Sequence, residues 1–158
     1  MPSAISLRPL DHADFDLLFE WGQDPEAIAM AAFTHADPSD RAAFDAHHER
    51  IRSNPDCMLL AIEDDSGLAG TIGSFTMEGE REITYWVDRA RWGRGIASAA
   101  LQAFLELETT RPLYGRCAEH NVGSARVLQR AGFEQIGTDK GYANGVDREV
   151  VEHIYRLD

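Results

Sequence analysis

Between residues 83 and 117 the chain reads as strand, glycine-rich loop, helix and strand, and no other stretch restricts the fold as much. Ile83, Tyr85 and Val87 alternate with Thr84 and Trp86, which describes a strand filled on both faces. Arg91-Trp92-Gly93-Arg94-Gly95 interrupts it. Ile96, Ala97, Ala100, Leu101, Phe104 and Leu105 then recur at helical spacing, and Pro112 closes the region before a short strand from Leu113 to Cys117. This order is a βαβ crossover, and it forces a sheet with a helix laid on its face.

Ahead of the crossover the pattern is an antiparallel meander. Cys57 to Ile62 is a continuous apolar run, Asp64-Asp65-Ser66-Gly67 is turn chemistry, and Leu68 to Met77 is a second strand. Ile5 to Leu7, ahead of Pro9, is expected as an edge strand. Asp11 or Asp14 can cap a helix bearing Phe15, Leu18 and Phe19 that ends near Gly22. Pro25 sits early in another helix, and Ser39 or Asp40 can cap a third from Arg41 to about Arg52. After the crossover, Asn121 caps a helix whose Val122, Ala125, Leu128 and Ala131 face inward, and Gly132 ends it. Phe133 to Ile136 begins a strand, Asn144-Gly145 signals a hairpin, and Val150 to Leu157 is the last strand. The expected fold is α+β: a mixed, mostly antiparallel sheet of about seven strands with helices on both faces. At 158 residues, a single domain over 1–158 is the expectation.

Charge narrows the function. Fifteen Lys and Arg against 27 Asp and Glu leave a net charge of −12. That balance argues against nucleic acid and against an anionic membrane surface, and it favours a cationic partner or simple solubility. Cys57 and Cys117 form no CxxC pair, and no basic, apolar leader opens the chain, so a reducing, cytoplasmic setting is expected. The six histidines are scattered, apart from the adjacent His47 and His48 on different helix faces. No metal site is expected.

The loop Trp92-Gly93-Arg94-Gly95-Ile96-Ala97-Ser98 carries the strongest chemical signal. Two glycines let main chain approach a ligand, and the helix start behind them offers unpaired N–H groups suited to a pyrophosphate. Arg91 and Arg94 add positive charge. An ordinary glycine turn ahead of a helix is an equal reading of the loop alone. Asn121 and Ser124 read equally well as a plain helix cap, and Glu82 as a solvated strand end, unless Glu82 faces a cleft that raises its proton affinity.

Taken in order, four segments resemble the GNAT superfamily of acyl-CoA-dependent N-acyltransferases, in its branch of ribosomal-protein N-terminal acetyltransferase-like enzymes. They are Leu7-Arg8-Pro9-Leu10 through Trp21 and Asp24-Pro25-Glu26; Glu82-Ile83-Thr84-Tyr85-Trp86-Val87; Trp92-Gly93-Arg94-Gly95-Ile96-Ala97; and Asn121-Val122-Gly123-Ser124 through Leu128 to Ala131-Gly132-Phe133. The resemblance implies acetyl-CoA as co-substrate. It places the pantetheine arm along Trp86 and Val87 and the pyrophosphate on the amides from Gly93 to Ser98. It puts Asn121 on the cofactor, Ser124 near the sulfur and Glu82 where many members carry a base. Residues 21–35 would wall an acceptor pocket, with Trp21, Met30 and Phe33 as apolar surface and Asp24, Glu26 and His35 as polar groups. One departure is Trp92, where the family often has Gln or Arg three residues ahead of the central Gly95.

The implied reaction is acetyl transfer to an amine, without metal; the acceptor's identity, the acyl length and the oligomeric state are not legible, and a homodimer is one option. A dinucleotide-binding oxidoreductase is the first rival, because Gly93 to Ser98 approximates GxGxxG. Five residues, Asp88 to Trp92, separate strand from glycines where that motif turns at once. A non-catalytic acyl-CoA-binding module is the second rival, and Glu82 and Ser124 weigh against it.

Overall fold

The computed structural model describes residues 4–158; residues 1–3, part of the N-terminal reading above, lie outside the described residues. Seven strands form one sheet: β1 (Ser6–Pro9), β2 (Met58–Asp64), β3 (Gly67–Met77), β4 (Glu80–Val87), β5 (Leu113–Ala118), β6 (Glu134–Ala143) and β7 (Arg148–Leu157). Their spatial order is β1-β2-β3-β4-β5-β7-β6. Among the described residues five α-helices accompany them: α1 (Phe15–Trp21), α2 (Pro25–Ala31), α3 (Arg41–Ser53), α4 (Ile96–Leu105) and α5 (Val122–Arg130). The mixed, mostly antiparallel α+β architecture is the one expected.

Local chemistry explains the helix starts. Asp24 accepts from the Glu26 N–H with Pro25 in the first turn, Asp40 accepts from Ala43, and Asn121 accepts from Ser124 at 3.2 Å. Asp11 caps a short 3-10 turn ahead of α1, whereas Asp14 spends its carboxylate on Arg8 and on the Asp11 N–H. Two expectations shift. The edge strand runs Ser6–Pro9, because Pro9 is tolerated at the end of an outer strand. Val122 is exposed, since the first residue of α5 precedes the turn that reaches the sheet.

The main core lies between α4, α5 and one sheet face, with Ile62, Ile72, Ile83, Ile96, Leu101, Phe104, Leu113, Leu128 and Tyr155 buried. Each such side chain contributes about 1.5–3 kcal/mol through burial. The opposite face carries two smaller clusters, Leu10, Phe15, Leu18 and Ala61 under α1, and Ala32, Ala118, Ala143 and Val150 beyond α2.

One irregularity positions everything that follows. β4 and β5 run parallel but pair only at Arg81 with Leu113 and Glu82 with Tyr114. Past Glu82, β4 stays paired to β3 as far as Val87, while β5 stays paired to β7 as far as Ala118. The sheet is therefore split, and Glu82 stands at the apex of the split.

Candidate functional site

The glycine-rich loop rests on a polar clamp. Arg91 reaches Asp64 at 2.7 Å, Asp88 at 2.7 Å and Ser66 at 3.0 Å. The guanidinium of Arg91 holds the Asp64 carboxyl down to about 2. Arg91, expected to add charge for an anion, is thus already neutralised and serves to fix the loop. Gly93 and Gly95 have φ of 80° and 77°, left-handed values that cost a side-chain-bearing residue 1–2 kcal/mol, so glycine is needed at both. Gly95 is the residue before α4, with no side-chain cap. The N–H groups of Ile96, Ala97 and Ser98 lack intrahelical acceptors, and the first helical bond comes from Ala99 to Gly95.

Those amides open on a cavity of about 420 Å³. Its walls include Trp92, Gly93, Gly95, Ile96, Ala97 and Ser98 from the loop and α4, together with Arg91, and Asn121, Gly123, Ser124, Arg126, Val127 and Arg130 from α5. Tyr85, Trp86 and Val87 all line it, although consecutive strand residues point to opposite faces. The split accounts for this: the cavity passes through the sheet and ends against Ala27, Met30 and Ala31 of α2 on the far side. The Asp88 N–H bonds to Ala69 on β3, so by the alternation of an antiparallel ladder the main-chain groups of Tyr85 and Val87 face the gap. The Val87 carbonyl there accepts the Trp92 indole N–H at 3.0 Å.

On the α5 side of the split, Ser124 Oγ lies 2.7 Å from the Tyr85 hydroxyl. Burial pushes the Cys117 thiol up to about 11 and raises the Tyr85 phenol as well, so both are protonated at neutral pH. Either hydroxyl can donate in this pair, and when the phenol does, the Ser124 proton is left for an acceptor in the cavity. Glu82 lies on the other face, buried at 6% exposure rather than solvated, with Arg116 Nε 3.0 Å from its Oε1. Burial raises its proton affinity; Arg116 opposes this, and Glu152 and Glu80 add to it.

Comparison with known proteins bears on this geometry. The family model described as "Acetyltransferase (GNAT) domain" matches residues 5–134. The chain belongs to the GNAT acetyltransferase family. It is 22% identical over 164 residues to "Uncharacterized N-acetyltransferase p20" of Bacillus licheniformis, covering 97% of this chain and 92% of that one. Two solved structures share the fold. One is spermidine N-acetyltransferase from Vibrio cholerae in complex with CoA and spermine (TM-score 0.78, 14% identity, 96% and 95% of the two chains covered). The other is the ribosomal L7/L12 alpha-N-protein acetyltransferase RimL (TM-score 0.78, 21% identity, 97% and 89% covered). A dinucleotide-binding oxidoreductase does not fit a GNAT domain.

In this GNAT domain the residues expected at the acceptor wall divide. Met30 lines the cavity. Trp21 instead packs on the cluster of Leu10, Phe15, Leu18 and Ala61. Phe33, 38% exposed, lies over Gly141 of β6, and His35 stacks edge-on against His47 with ring centroids 5.2 Å apart. Asp24 and Glu26 are engaged by Arg89, so they tie α2 to the turn after β4. His120 Nε2 contacts the Ala29 carbonyl at 2.8 Å, and Asn144 and Gly145 hold the carbonyls of Thr34 and Ala32, each at 2.8 Å. The wall is thus fastened through its own main chain.

Arg94 is exposed and outside the cavity wall. Sequence reasoning missed Arg126 and Arg130, one helical turn apart on α5 and both on the cavity. Neither they nor Arg94 makes an ion pair among the described residues. Their spacing of four was a readable signal, since it places two cations on one helix face, the face that also carries Gly123 and Val127. Tyr85 was legible only as core. Among the described residues no helix is long and apolar enough to cross a membrane, and no group of side chains is arranged to hold a metal.

Proposed function

We propose that residues 1–158 act as one acetyltransferase domain that moves an acetyl group from acetyl-CoA to a primary amine, of a small molecule or a protein N-terminus, by direct attack. The observation that carries this reading is the cavity running through the split sheet. It joins a cluster of unpaired amides on the α4 side to an apolar wall on the α2 side, so donor and acceptor can meet from opposite faces. The amides from Gly93 to Ser98 suit the diphosphate, and the unpaired cations Arg126 and Arg130 suit its phosphates, with Asn121 beside them. The free main-chain edge at Val87, with Trp86 on the cavity wall, suits the pantetheine arm. The complex of the Vibrio cholerae enzyme with CoA and spermine supports both halves of the assignment.

In this reading the Val87 N–H steadies the oxyanion formed when the amine attacks the thioester carbonyl. Ser124 hands its proton to the departing thiolate and recovers one from Tyr85 or solvent. The amine must first be neutral. At pH 7 that costs about 4.6 kcal/mol for a lysine-like amine and about 1 kcal/mol for an α-amine. Glu82, at the apex, takes that proton, directly or through one water. Cationic acceptors suit the surroundings, because the chain is acidic and Glu82, Glu152 and Asp139 outnumber Arg116 around the apex. The acidic balance and two free cysteines suit the cytoplasm.

Calorimetry with acetyl-CoA, then a panel of amines with labelled acetyl-CoA, tests the reading. Saturable binding and label transfer are expected. A folded chain that ignores acetyl-CoA would overturn it, and binding without transfer to any amine would favour the non-catalytic module.

A further inference from the structure

Arg116 occupies a place that neither the family match nor the neighbours assign. It lies on β5 two residues beyond Tyr114, the last residue paired to β4. Its Nε reaches back across the opening to Glu82 at 3.0 Å, while its Nη1 contacts Glu152 of β7 at 3.3 Å and Asp139 of β6 at 3.8 Å. One guanidinium therefore serves three carboxylates on three strands. The charged groups around Glu82 are Arg116, Glu152 and, on its own strand, Glu80, while Asp139 meets the same guanidinium; β3 presents Phe75 opposite Glu82.

We propose that Arg116 is the positioning residue for Glu82: it aims the carboxylate into the split and keeps it ionised to receive the proton of the incoming ammonium. The proposal rests on the reading of Glu82 as base. Two physical requirements lead to it. A carboxylate buried at the apex loses hydration, and without a cation it would hold a proton and could accept none. A cation devoted wholly to Glu82 would make it too weak a base. Sharing the guanidinium with Glu152 and Asp139 leaves Glu82 charged but still basic, the compromise a general base needs near neutral pH. The proton step balances: the ammonium N–H bond breaks, a Glu82 O–H bond forms, and the neutral amine keeps the electron pair for the thioester carbon. Glu82 then returns the proton to solvent.

The test follows two titrations on the full chain. One is the carboxyl carbon signal of Glu82 in protein labelled with ¹³C at the glutamate side-chain carboxyl, assigned through Glu82→Gln. The other is the acid limb of kcat/KM for thiol release from acetyl-CoA, with the acceptor the amine panel returns. Arg116→Met should move both up by about one pH unit or more, and Arg116→Lys should restore them to within about half that distance. Glu152→Gln, which frees the guanidinium for Glu82, should move both down. A role confined to holding the strands together would change thermal stability and leave both titrations in place. Should Arg116→Met fail to fold, the lysine and Glu152→Gln variants decide the matter, since an unmoved titration in Glu152→Gln overturns the proposal. Loss of the acid limb in Glu82→Gln, with no shift in the Arg116 variants, sinks the role of Arg116 and leaves the base standing. An acid limb that persists in Glu82→Gln removes the base itself.

Discussion

Two carboxylates on either side of β4 are buried to the same degree and have opposite outcomes. Glu108, just past α4, and Glu82, at the apex, are 5% and 6% exposed, and each faces an arginine. Burial works to raise Glu108, but the Ser74 hydroxyl at 2.6 Å, Arg81 at 2.6 Å and the Thr110 N–H outweigh it and bring the group to about 2. Glu82 has one donor, which Glu152 and Asp139 also claim, and burial wins. Arg81 and Glu82 are neighbours in sequence, yet strand alternation sends one into the Glu108 network and the other to Arg116 on the opposite face. The count of donors against acceptors, rather than burial, separates a carboxylate whose proton affinity is lowered from one whose proton affinity is raised.

Replacing each carboxylate by its amide would break this comparison most sharply. Glu82→Gln should cut kcat/KM by about 10²–10⁴-fold, the usual contribution of a general base, with Tm nearly unchanged. Glu108→Gln should do the reverse, losing about 3 kcal/mol or more because Arg81 is left without its buried partner, while activity per folded molecule holds. Denaturant titration and steady-state rates on both variants check the pair, and equal stability losses would collapse the distinction.

The acid dependence of stability comes next. Glu108 is depressed when folded, so the stability it contributes is complete above about pH 4.5 and disappears as pH falls towards 2; its size is on the order of 3 kcal/mol. Glu82 is raised when folded and acts with the opposite sign, favouring the folded state more as pH falls below its folded value. Unfolding curves between pH 2 and 7 should therefore flatten at the acid end in Glu108→Gln and steepen slightly in Glu82→Gln. The smallest effect is expected on the far side of the split. Ser124→Ala should lower turnover roughly tenfold, less than the loss at Glu82, because a thiolate leaves well even unprotonated. A viscosity-independent rate equal to that of the unaltered chain would remove Ser124 from the proton path.

Much of the fold was legible because its signals are local. Alternation marked β4, apolar spacing marked α4, Asn121 marked the start of α5, and Asn144-Gly145 marked the turn between β6 and β7. The amide cluster at Gly93 to Ser98 was equally readable, since it depends on two glycines and the helix behind them. The acceptor wall was less so: Met30 reaches the cavity, while Trp21 and His35 turn to other partners that only packing supplies.

By itself, the order of residues determined a βαβ crossover with a glycine-rich loop that leaves helix amides unpaired, a meander ahead of it and a hairpin behind, because backbone preference and hydrophobic period act over a few neighbours. Where β4 and β5 part company, whether Arg91 is free or clamped, and how many carboxylates share Arg116 were decided by tertiary structure alone. Those outcomes depend on groups tens of residues apart arriving on one face, and electrostatics in a buried space answers to distance, not to sequence separation.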